Sequence, residues 1–286
     1  MSAARRGGAI RRGLLAVAYF VATAVALGFL VLPIVAIFTR VSPGRLIDQL
    51  SNPVVTDALI VSAKTTCLAQ LLILGLGPPT AYLLASRRFP GRSLAVTLVE
   101  LPLVLPPAVA GIGLLAAFGR FGLLGSTFRW AGVSLPFTQS AVTLAVAFVA
   151  SPLYIRQGIA AFEAIDPNLV AASRTLGAGP ARTFFRVVLP LARGGLAAGG
   201  ALALARGLGE FGATIMFAGS LERVTQTLPL AIYAEFEVNF DVTLAISALL
   251  VLLSAAILVS LKLTTLWLWQ PSAQTSRSRF ALSSWS

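Results

Sequence analysis

Long apolar runs alternate along this chain with short segments that hold nearly all of its charge. Six runs stand out, at about 14–39, 58–86, 94–118, 138–161, 194–219 and 242–269. A helix needs about 20 apolar residues to cross the hydrocarbon core of a bilayer, and each run meets that length. No polar segment between them is long enough to fold as a second domain. The pattern predicts an all-α membrane protein with one domain of six transmembrane helices, over 14–270. A short segment, 1–13, precedes it. A Ser- and Arg-rich tail, 271–286, follows without helical periodicity and reads as disordered. The first run exceeds the roughly 7–15-residue core of a cleavable signal peptide, so it reads as a retained span.

Proline and glycine qualify this pattern. Pro102, Pro106 and Pro107 predict a kink or break in the third run, and Gly77-Pro78-Pro79 predicts the same in the second. The fifth run is read as one span.

Composition agrees with a membrane solvent. Hydrophobic residues make up 57% of the 286 and charged residues 11%, where a soluble domain carries about a quarter. The net charge of +12 would suggest nucleic acid in a soluble chain. Here no basic, aromatic-interleaved domain exists to bind one, so nucleic acid is not expected as a partner and the lipid bilayer is. The single cysteine, Cys67, lies within an apolar run and has no intrachain partner.

The arginines report orientation instead. One set of alternate segments holds Arg5, Arg6, Arg11, Arg12, Arg87, Arg88, Arg92, Arg156, Arg174, Arg182, Arg186, Arg193, Arg277 and Arg279. The other holds Arg40, Arg45, Arg120, Arg129 and Arg223. Fourteen against five places both termini and the 162–193 loop in the cytoplasm.

That loop is the most patterned connection. Asp166-Pro167 suits an N-cap and first helical residue, because the carboxylate accepts from free amides and proline sacrifices no needed donor. Leu169, Ala172, Ser173 and Leu176 follow at helical spacing, and Gly177 can end the helix in the left-handed conformation. Gly179-Pro180 then starts a second short helix, with Phe184, Val187 and Val188 on one face and Arg182 and Arg186 on another. Two readings fit the spacing alone. One is a stiff cytoplasmic knob that transmits force from a partner; the other is an ordinary amphipathic connector.

The run Ala171-Ala172-Ser173-Arg174-Thr175-Leu176-Gly177, with Val187-Val188-Leu189-Pro190 nine residues on, resembles the loop signature of binding-protein-dependent ABC importer permeases. That signature is Glu-Ala-Ala, three residues, Gly, nine residues, Ile-x-Leu-Pro. Gly177, Leu189 and Pro190 match in register and Val187 stands for Ile. Ala171 replaces the family Glu, so no acidic contact to the ATPase is carried over, and Ser173 replaces the second Ala. Arg206 to Gly219 and Thr225 to Tyr233 are similar to the last third of molybdate permeases, with sulfate permeases close behind.

The resemblance implies a type I ABC importer fold, with 162–193 as a coupling loop docking on a cytoplasmic ATPase. It implies two ATPase copies, an external substrate-binding protein and a permease homodimer in the cytoplasmic (inner) membrane of a prokaryote. The substrate implied is molybdate, with tungstate or sulfate as alternatives. No cofactor is expected in this chain; ATP-Mg would be bound by the partner subunit.

Charges within the spans call for partners, since one at the bilayer centre costs about 2.5–3.5 kcal/mol on insertion scales. Arg206 and Glu210 lie four apart on the fifth run, one helical turn from each other. They read as an internal ion pair, or else as residues of the translocation path. Lys64, Glu100 and Lys262 read as structural or snorkelling.

The chain has no histidine, and hence no HExxH or Ser-His-Asp site, and no P-loop. It is not expected to be an enzyme. A rival of another class, an ion-coupled secondary transporter, would need intramembrane acidic relays and often shows internal repeats. Neither is evident, and a scaffold without transport leaves the loop signature unexplained.

Overall fold

The computed structural model describes the backbone over residues 2–268 and side chains over 15–263. The tail assigned to 271–286 lies outside the described residues. Among those residues the chain is built of helices and turns. Five helical stretches are long and apolar enough to cross a bilayer, and one bent helix pair forms a sixth candidate.

α1 (Ser2–Arg40) runs through the first apolar segment. Its apolar stretch, which includes Phe20 and Phe29, is exposed and packs little against the rest of the chain. A short α2 (Pro43–Leu50) leads to α3 (Pro53–Ser86), in which Asn52 caps the first turn through Val54 N–H at 3.0 Å. α3 carries Pro78 and Pro79 without breaking, against the sequence expectation. Two observations account for this. Thr80 Oγ1 donates to Leu76 O at 2.7 Å, bracing the turn that holds both prolines although it does not replace the amides they lack. Gly77 also lies flat against the Tyr154 ring, where a Cβ would collide.

The third apolar segment breaks where its prolines predict. α4 (Arg92–Val104) and α5 (Pro107–Phe118) meet at Leu105-Pro106 with a bend of 116°. Neither half alone spans about 30 Å of hydrocarbon, at roughly 1.5 Å per residue. α6 (Gly125–Trp130) lies in the connection to α7 (Gln139–Glu163).

α7 is the centre of the packing. Its first half meets α5 and, further on, α11 (Gly212–Ala218) in a cluster containing Leu114, Val146 and Phe217. Its second half meets α3 and α10 (Leu189–Leu208) around Ile73, Tyr154 and Leu196. In a membrane, close van der Waals packing replaces hydrophobic drive, and small residues permit it. A Cβ on Gly158 would sit 2.8 Å from Ala81 Cβ, and one on Gly195 would collide with Ala161. Gly195 and Gly199 thus form one stripe that seats α10 on α7.

The fifth apolar run is not one span. α10 ends at Leu208 and α11 starts at Gly212, so the reading of 194–219 as continuous is corrected. Gly207, Gly209 and Gly212 crowd the junction, where glycine disfavours continued helix. α12 (Leu228–Glu235) and α13 (Phe240–Leu268) complete the fold and pack on the start of α3 around Val55, Leu228 and Ile246.

Contacts sort the connections onto two ends. At one, Arg223 Nε meets Asp57 Oδ2 at 2.9 Å and Arg45 meets Asp241 at 3.7 Å. At the other, Arg92 Nη2 meets Glu163 Oε1 at 2.6 Å, and the 162–193 segment lies there too.

Candidate functional site

The 162–193 segment begins with a capped helix. Asp166 Oδ1 accepts from Asn168 N–H at 2.9 Å and Pro167 opens α8 (Pro167–Thr175), nine residues long. Gly177 sits at φ +82°. Its N–H donates to Arg174 O at 3.0 Å, and Ala178 N–H donates to Ser173 O at 3.1 Å. This pair of bonds around a left-handed residue is the Schellman closure, in which glycine avoids the Cβ penalty.

The second short helix read from sequence is present but is not regular. α9 (Pro180–Thr183) is a single turn, followed by a π-turn over Phe184–Val188 that feeds α10. Leu189 N–H reaches back five residues to Phe184 O. Pro190, in the first turn of α10, has no N–H to give, and its ring would press on the carbonyl of Arg186 in a regular helix. The wider turn relieves that clash, and such turns gather at functional positions.

Two contacts stiffen the element. Ser173 Oγ and Thr183 Oγ1 lie 3.2 Å apart, joining α8 to α9. Tyr82, Phe162 and Phe184, from α3, α7 and the π-turn, form a ring cluster with centroids 4.9–6.3 Å apart. Sequence reasoning missed this cluster, because nothing local links three aromatics so far apart along the chain.

The faces of α8 are also informative. Val170 and Ser173 turn towards the body of the protein, while Leu169, Ala171, Ala172, Arg174 and Leu176 are exposed. Leu176 is 87% exposed, which an apolar side chain in a water-facing loop does not favour. A groove of about 590 Å³ runs beside this face, lined by Leu169, Leu176, Arg182, Arg186, Val187 and Pro190 among others. The signature residues Ala172 and Ser173 line it as well, whereas Ala171 and Gly177 do not; Leu189 packs inward.

A second arrangement lies at the break between α10 and α11. Arg206 Nη1 meets Glu210 Oε2 at 2.7 Å. The other oxygen, Oε1, accepts from Ala213 N–H at 2.8 Å. Glu210 is 2% exposed, so both oxygens of a buried carboxylate are engaged. The pair is therefore an internal ion pair that also caps the start of α11. Glu100 on α4 reaches Arg156 on α7 at 3.6 Å, and Lys64 is exposed on α3.

Residues 74–268 match the family described as binding-protein-dependent transport system inner membrane component. The molybdenum transport system permease protein ModB of Mycobacterium tuberculosis is 45% identical over 234 residues, covering 81% of this chain and 88% of the relative. ModB of Escherichia coli is 43% identical over 178 residues, 62% of this chain and 78% of that protein. A probable transport system permease protein of Clostridium pasteurianum, NifC, is 33% identical over 88% of each chain.

Among solved structures, a bacterial ABC transporter involved in the import of alginate superposes with a TM-score of 0.66 at 16% identity. It covers 93% of this chain and all of that one. The MetNI methionine ABC transporter, inward facing, gives 0.57 at 20%, over 75% of this chain and 95% of that one. These likenesses establish the ABC importer permease fold.

Proposed function

We infer that this chain, which belongs to the family of binding-protein-dependent transport system inner membrane components, is the permease subunit of an ATP-driven molybdate importer. The observation that carries the substrate is its 45% identity, over 81% of its length, to a molybdenum transport permease. Tungstate, chemically close to molybdate, is the natural competitor.

Two copies of the chain form the path, each offering one 162–193 element to one ATPase subunit, and an external binding protein delivers the anion. The arginine distribution supports termini and coupling element on the cytoplasmic side. The groove beside α8 supports docking there: it pairs exposed Leu169 and Leu176 with Arg182 and Arg186, a combination of apolar anchor and charge suited to a protein interface.

Force then travels by a stiff route. Closure of the ATPase pair on ATP pushes α8. The Schellman turn and the Ser173–Thr183 contact keep α8 and α9 moving together, and the aromatic cluster passes the displacement to α3, α7 and α10. Glu210 ties α11 to the end of α10 across the break at 209–211, so displacement of α10 carries α11 with it. Hydrolysis resets the path to face inward.

Co-purification tests the docking. Leu176→Asp together with Arg186→Glu should lower recovery of the ATPase with tagged permease about tenfold or more, as loss of an interface anchor does. Insertion and the amount of permease should be unchanged. Undiminished recovery of ATPase with the double variant would move the docking site elsewhere.

A further inference from the structure

Behind α8, facing away from the docking groove, lies a second cavity of about 560 Å³ between the ends of α3 and α7. Tyr82, Arg88, Arg92, Glu163, Val170 and Val188 are among its walls. Arg92 is occupied: Nε donates to Leu84 O at 2.6 Å, and Nη2 neutralises Glu163 at 2.6 Å. Arg88 has no hydrogen-bond or ionic partner among the described residues, although it lines the same cavity. The walls thus hold two guanidinium groups against one carboxylate, which leaves one positive charge uncompensated, and Arg87 adds another beside it.

The surroundings place this charge at a boundary. Leu83, Phe89 and Leu94, flanking the arginines in sequence, are exposed apolar residues, and Tyr82 contributes the amphipathic ring typical of a headgroup layer. A guanidinium fork fits phosphate oxygens, and basic pockets between spans on the cytoplasmic side take anionic headgroups. We propose that this cavity binds the phosphate headgroup of an anionic membrane lipid, with Arg88 as its principal ligand. The side of the membrane rests on the orientation proposed above. Since Val170 of α8 and Val188 of the π-turn also line the cavity, a bound headgroup touches the coupling element and braces it while the groove faces the ATPase.

Native mass spectrometry of the full-length permease–ATPase complex tests this after reconstitution in vesicles with equal phosphatidylglycerol and phosphatidylcholine. Wild type should retain phosphatidylglycerol in preference to phosphatidylcholine. Arg88→Gln should reduce that retention about fivefold, the value of one arginine at an anionic surface. Arg129→Gln, at the opposite end of the fold, should not. Equal retention of the two lipids, or unchanged retention in Arg88→Gln, would overturn the proposal. So would displacement of phosphatidylglycerol by excess inorganic phosphate, which would mark a soluble anion as the ligand, or loss of the ATPase in place of lipid, which would mark a protein contact. The readout needs neither uptake nor ATP turnover, so it fails or succeeds independently of the transport assignment.

Discussion

Glu210 holds Arg206 at 2.7 Å with one carboxylate oxygen and the Ala213 amide at 2.8 Å with the other. A single buried side chain thereby ties the last turn of α10 to the first turn of α11 across the break in the fifth apolar segment. Breaking a buried pair strands the remaining charge, at about 3–5 kcal/mol. Arg206→Ala strands the fully buried carboxylate and should fall near the upper end, about 5 kcal/mol. Glu210→Ala strands an arginine that keeps about a third of its surface in solvent and should fall near the lower end, about 3 kcal/mol. Removing both partners together, in Arg206→Ala/Glu210→Ala, should recover part of that loss. Reversible unfolding in mixed micelles measures all three; additive losses would deny the pairing.

Gly177 makes a different demand. At φ +82° a side chain strains the backbone by about 1–2 kcal/mol, and the Schellman bonds at Arg174 and Ser173 compete with that strain. Gly177→Asn, which tolerates the left-handed region, should keep most ATP-dependent uptake. Gly177→Val should lose it while the protein still inserts. Uptake rates at matched membrane levels distinguish the two, and equal rates would remove the turn from the coupling route.

The seat of α10 on α7 can be examined by exchange of a methyl group. A Cβ on Gly195 runs into Ala161, so Gly195→Ala should destabilise by about 1–3 kcal/mol, as overpacking does. Ala161→Gly in the same chain vacates the space and should restore most of it. A double variant no more stable than Gly195→Ala alone would show that the two helices do not approach as described.

Ser173 and Thr183 join α8 to α9 through their hydroxyls, 3.2 Å apart. Ser173→Ala should weaken coupling more than stability, since a neutral hydrogen bond contributes about 1 kcal/mol net. The expected sign is a permease–ATPase complex that still assembles but hydrolyses ATP with less transport per turnover. An unchanged ratio of molybdate imported to ATP consumed would mean the two helices need no such link.

Much of this was legible because the signals are local. Asp166-Pro167 and Gly177 announce the ends of α8 through their own backbone chemistry, and Pro106-Pro107 announces the bend between α4 and α5. Distant packing was not legible. Gly77-Pro78-Pro79 reads as a kink until Tyr154 and Thr80 are seen to hold the helix through it. The break at 209–211 is hidden because hydropathy sums over both halves. Helical spacing puts Leu169 and Leu176 on one side of α8 without saying what that side meets; they point outward and Val170 turns in. The aromatic cluster of Tyr82, Phe162 and Phe184 depends on three elements meeting, which no window of sequence contains.

The most direct test of an ATP-driven permease is uptake itself. Proteoliposomes holding this chain with its ATPase, supplied outside with the binding protein and labelled molybdate, should accumulate the anion only when ATP-Mg is trapped inside. Uptake should disappear when the trapped ATP is replaced by a non-hydrolysable analogue, whatever the ion gradient. Accumulation driven by a proton or sodium gradient without ATP would contradict the account and make the chain a transporter that works alone.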